Sequence, residues 1–84
     1  MEIYLVIDEW KRDFEHATTI VGVFKLREDA EACLASHIKS VQAEQDADKF
    51  DTIDQVEGDY YEAYNDGSYD DAYDHIWIEK QEVK

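Results

Sequence analysis

One amphipathic stripe constrains the fold of this chain more than any other feature. Ala30, Leu34, Ile38 and Val41 fall at i, i+4, i+8 and i+11, so they line one face of a helix running from residue 27 to about residue 45. It is the one convincing helix in the sequence, so its apolar face must be buried against something other than a second helix. The other apolar runs are short and rich in β-branched residues, which makes that partner a sheet. Glu28, Asp29 and Glu31 occupy the first turns, where they favour the positive end of the helix dipole. No capping Ser, Thr, Asp or Asn stands immediately before them; Lys25-Leu26 do, so the helix start is weakly signalled.

The strands follow from short-range pattern. Ile3-Tyr4-Leu5-Val6-Ile7 reads as a buried strand ended by Asp8-Glu9. Residues 10–17 read as a polar connection carrying Lys11-Arg12, the only adjacent basic pair. Thr18-Thr19-Ile20-Val21-Gly22-Val23-Phe24 reads as a second strand, with Gly22 marking a bulge or close packing. An antiparallel hairpin is the simplest pairing of the two. After the helix, Phe50, Ile53 and Val56 are spaced by three, as in a helical turn docked on the core or a set of loop anchors. Gly58 punctuates. Residues 60–64 and 69–73 flank Asn65-Asp66-Gly67-Ser68, and Asp-Gly between aromatic runs signals a hairpin. Residues 69–74 read equally as a loop. His75-Ile76-Trp77-Ile78-Glu79 is a last strand, with Ile76 and Ile78 on one face and Trp77 on the other. The expected fold is one α+β domain over residues 1–84. It has a small, at least partly antiparallel sheet of three to four strands with one main helix on one face, in the order β-β-α-(β)-β.

Charge narrows the functional classes. The formal net charge is −14 on 84 residues, while 44% apolar and 13% aromatic residues argue for a folded chain. From Phe50 to Glu79 there are ten acids, no Lys or Arg, and five of the six tyrosines. Such a surface repels nucleic acid and anionic membranes directly. One cysteine, Cys33, forms no internal disulfide and fits a reducing compartment. The first residues lack the basic and apolar regions of a signal peptide, so a cytoplasmic setting is expected.

Catalytic and metal patterns are thin. Cys33 lies near the apolar stripe and reads as a small core residue. Cys33 and His37 stand at i, i+4 and supply half a zinc site, to be completed by His16, His75 or distant carboxylates. Aligning Gly67 to the glycine of a calcium-binding helix–loop–helix puts Glu62, Tyr64 and Asp66 at ligand positions but Tyr73 at the closing glutamate, and the pattern fails. A looser calcium site would involve Asp66, Asp70 and Asp71. Paired carboxylates do acid–base work only in a cleft that separates their pKa values, which so short a chain is not expected to build. No enzyme activity, cofactor or metal is expected.

The run Ile20-Val21-Gly22-Val23-Phe24 followed by Arg27-Glu28-Asp29-Ala30-Glu31-Ala32 resembles a pattern in small phage and prophage proteins of no assigned activity. In those, an opening strand precedes a strand ending Gly-Val-Phe, an Ala-Glu helix follows, and a last strand closes the chain. The resemblance covers about half of the residues and implies a fold and a phage setting. This chain departs from it at Lys25-Leu26, where a capping Ser or Thr is usual, and in its longer, more acidic segment after the helix. By functional analogy with DNA-mimic inhibitors of the anti-CRISPR type, the expected role is occlusion of a basic nucleic-acid-binding host protein: a CRISPR effector, a restriction enzyme or a repair enzyme. The expected phosphate stand-ins are Asp59, Glu62, Asp66, Asp70, Asp71 and Asp74. The expected anchors are Tyr60, Tyr64, Tyr69 and Tyr73. The competing readings are a solvated acidic face and a homodimer formed through exposed strand edges.

Overall fold

A computed structural model describes residues 1–12, 14–44, 50–65 and 72–83. Five strands and one helix follow in the order β1 (Glu2–Arg12), β2 (Glu15–Phe24), α1 (Arg27–Glu44), β3 (Thr52–Val56), β4 (Tyr60–Tyr64) and β5 (Ala72–Glu82). The strands form one antiparallel sheet ordered β2-β1-β5-β4-β3. The long β1 and β5 are central neighbours, so β1 is paired on both sides from Tyr4 to Arg12 and β5 from Tyr73 to Trp77.

The stripe lies against the sheet. Ala30, Leu34 and Ile38 form a cluster with Val6 of β1, Ile76 of β5, Tyr61 and Ala63 of β4, and Phe50, while half-buried Val41 packs on its margin. Alternation along each strand then assigns the faces. Val6, Ile76, Tyr61 and Ala63 point to the helix, and their sequence neighbours point away from it.

The start of α1 is secured by a side chain rather than a cap. Arg27 donates from Nε to Glu31 Oε1 at 3.0 Å, from Nη2 to Asp59 Oδ1 at 2.6 Å, and from Nη2 to the Gly58 carbonyl at 3.3 Å. The guanidinium therefore ties the first helical turn to the β3–β4 turn.

Three expectations change. Trp10, Lys11 and Arg12 are strand rather than connection, because they pair with Ala17, His16 and Glu15 on one side and with Asp74, Tyr73 and Ala72 on the other. Two ladders hold a polar stretch that has no strand pattern of its own. Residues 52–56 are a fifth strand rather than a helical turn or loop anchors, because β4 pairs with Thr52 through Val56. The spacing of Phe50, Ile53 and Val56 is incidental: Phe50 is buried, while Ile53 and Val56 are exposed on opposite faces of β3. The register between β1 and β2 shifts so that Val21 falls between the pairs Val6–Gly22 and Ile7–Ile20, which places the bulge beside Gly22.

Gly58 closes the β3–β4 hairpin at φ +79°, with the Asp59 amide donating to the Val56 carbonyl at 3.0 Å. A Cβ placed there would lie 3.5 Å from the Glu31 side chain, so there is room for it and the penalty is in the backbone dihedral. Gly58→Ala is expected to cost about 1 kcal/mol. In a thermal melt that is a fall of roughly 4–8 °C.

Candidate protein-binding face

The sheet face turned away from α1 is built in rows. Residues directly opposite one another in a ladder share a face, and the four registers align across all five strands. One row reads Val56, Tyr60, Trp77, Ile7 and Ile20. The next reads Asp54, Glu62, His75, Glu9 and Thr18. A third reads Thr52, Tyr64, Tyr73, Lys11 and His16. An aromatic and aliphatic row thus lies beside a row carrying three carboxylates.

Side-chain contacts knit the first two rows together. The His75 ring stacks on Trp77 with centroids 4.4 Å apart and planes 29° apart, and Tyr60 meets His75 edge-on at 6.5 Å. The Tyr60 hydroxyl donates to Asp54 Oδ2 at 3.2 Å. Partial desolvation first, and then the charge and hydrogen bond of Asp54 with the charges of Glu62 and Asp59, raise the Tyr60 pKa. Its hydroxyl therefore stays protonated, and a donor, at neutral pH. His75 Nε2 lies 3.8 Å from Glu62 Oε2, and the Tyr73 hydroxyl donates to Glu9 Oε1 at 2.7 Å.

Asp54 and Glu62 stand directly opposite each other on adjacent strands. Strands are about 4.8 Å apart, and like charges so placed destabilise a sheet. Contacts with Tyr60 and His75 offset part of that repulsion.

The sequence candidates separate into three groups. Tyr60, Glu62, Tyr64 and Tyr73 lie together on this face. Asp59 is exposed but ion-paired to Arg27 at the helix start. Asp74 faces the helix side, is only 4% exposed, and accepts from Arg12 Nη2 at 3.0 and 2.9 Å, so it is no exposed stand-in for a phosphate. Asp66, Tyr69, Asp70 and Asp71 lie outside the described residues, as do the Asp-Gly turn and the looser calcium site. Glu9, Asp54 and Trp77 join the site although the sequence did not single them out as binding residues. Asp54 became visible only with β3, and Glu9 only because β1 and β5 are adjacent.

The other chemistry-bearing residues are dispersed. His37 Nε2 contacts Asp8 Oδ2 at 2.7 Å on the helix side, whereas His16 and His75 occupy the opposite face, so the sheet lies between the halves of the imagined zinc site. Among the described residues no group of three or more His, Cys, Asp or Glu is arranged to hold a metal. Burial pushes the Cys33 thiol up, away from the reactive thiolate. A groove of about 460 Å³ runs between α1 and β3, with Leu34, Ile38, Lys39, Gln42, Gln55 and Glu57 among its lining residues. Its described lining residues include no nucleophile–base pair. No described helix is long and apolar enough to cross a membrane.

Comparison with protein-family models, with curated proteins and with solved structures finds no match for this chain.

Proposed function

We propose that the protein is an anti-defence inhibitor of the phage type, which occupies the nucleic-acid-binding channel of a basic host protein by presenting this face in place of nucleic acid. The observation that carries the reading is the row Asp54, Glu62, His75, Glu9 set beside Tyr60 and Trp77. Open antiparallel sheets bearing aromatics serve elsewhere as stacking platforms for single-stranded nucleic acids, in company with basic side chains that hold the phosphates. Here carboxylates stand beside the aromatics. The face rejects phosphate and suits arginine and lysine, which pair with carboxylates and stack on Trp and Tyr. The net charge of −14 adds long-range attraction to a cationic channel. The mechanism is stoichiometric occlusion without chemistry.

Affinity capture from host lysate at low salt tests it. The expected catch is a nucleic-acid-binding protein whose retention falls steeply between ~0.05 and ~0.2 M salt and which added DNA or RNA displaces. Failure to recover any such protein, or retention indifferent to both salt and nucleic acid, rejects the proposal.

A further inference from the structure

The β2 edge of the same sheet points to self-association. Among the described residues β2 lies at the edge of the sheet, with β1 as its one strand neighbour and the other side of its ten residues outside the ladder. Between Glu15 and Lys25 it carries no charged residue, in a chain with 22 acids and 8 bases. Ile20 and Val23, on the face away from α1, are 59% and 56% exposed. Sheet edges in natural proteins are guarded by brevity, charge or bulges. The opposite edge is guarded in that way: β3 has five residues, contains Asp54, and is flanked by Asp51 and Glu57. On β2 charge is confined to Glu15 at its start and Lys25 just past its end, and the bulge at Val21 leaves residues 15–20 in regular register.

We propose that this regular half of β2 pairs antiparallel with the same segment of a second copy, about a two-fold axis near Thr18, joining two five-stranded sheets into one. The occupant follows from charge. A basic partner gains no attraction from a neutral strand, whereas a second copy of this acidic chain meets its lowest repulsion there. A two-fold at Thr18 sets Thr18 opposite its counterpart, a favourable cross-strand pair, and sets His16 opposite Ile20. Both copies then turn their acidic rows to the same side.

The salt dependence has the opposite sign to that of capture by a basic protein, so the two proposals fail separately. Sedimentation of the full chain over a wide concentration range is expected to show a monomer–dimer equilibrium that tightens from ~0.1 to ~1 M NaCl as like-charge repulsion is screened. Thr18 is exposed, so Thr18→Glu is expected to leave the fold intact by circular dichroism while weakening dimerisation at least about tenfold, since it opposes two carboxylates across the axis. Mixing Thr18→Glu with Thr18→Lys restores the dimer as a mixed pair. A monomer at every concentration in high salt, or a dimer that Thr18→Glu leaves unchanged, overturns the proposal.

Discussion

Arg12→Met is expected to lower the unfolding free energy by about 3 kcal/mol. Arg12 sits near the end of β1 with its guanidinium donating to both oxygens of Asp74, at 3.0 and 2.9 Å, and to the carbonyls of Lys11 and Tyr73 at 2.7 and 2.9 Å. It also lies over the buried Phe50 ring, 5.0 Å from the centroid. The Asp74 side chain is only 6% exposed, so the substitution takes a cation away from a desolvated carboxylate. A domain of this length has roughly 4–12 kcal/mol of stability, so the loss is a large fraction of it. The melting temperature should fall by roughly 12–24 °C. Arg12→Lys keeps the charge but not the two-pronged geometry or the stacking, and should lie between the two. Adding Asp74→Leu to Arg12→Met removes the buried carboxylate as well and should recover part of the loss. A thermal melt of the four proteins decides it. A double variant no more stable than Arg12→Met would mean that the single loss comes from packing on Phe50 and not from the buried charge.

The same pair shows where sequence reasoning stopped. Ala30, Leu34 and Ile38 were legible as one face because helical periodicity is local, and the cores of β1, β2 and β5 were legible from β-branched runs. The direction of Ile76 against Trp77 followed from alternation alone. Asp74 was different. Its neighbours Tyr73 and His75 point away from α1, so alternation turns Asp74 inward, and the pairing of β5 with β1 brings Arg12 to it as a cation. The polar ends of β1 and the whole of β3 were hidden for a related reason. Their strand conformation comes from ladders with partners distant in sequence, which outweigh weak local preference. The candidate face was half legible: Tyr60, Glu62 and Tyr64 share a face by simple alternation. Glu9 and Asp54 come from strands in other parts of the chain, and only the strand order brings them beside Glu62.

The carboxylate row gives the other large effect, with a sign that separates function from scaffold. Glu9→Gln, Asp54→Asn and Glu62→Gln, made together, are expected to weaken binding of the captured basic protein, or of an arginine-rich probe peptide, by about a hundredfold. The salt dependence of the remaining binding should also be shallower, because fewer charge pairs form. Stability should move the other way. The amides keep acceptors for the Tyr60 and Tyr73 hydroxyls, and relief of the directly opposed Asp54–Glu62 pair is expected to raise stability by up to about 1 kcal/mol. A chain that merely needs negative charge for solvation responds to how many charges are lost, not to where they are. Glu28→Gln, Asp29→Asn and Glu82→Gln, which neutralise three exposed acids away from this face, therefore serve as the matched control. Titration calorimetry or fluorescence anisotropy, read beside a thermal melt, gives both quantities for both triple variants. Positioned mimicry requires a large affinity loss in the first variant, little in the second, and no fall in melting temperature for the first. Equal losses in both would reduce the acidic face to a diffuse field. A first variant that binds poorly because it melts earlier would make the row part of the scaffold.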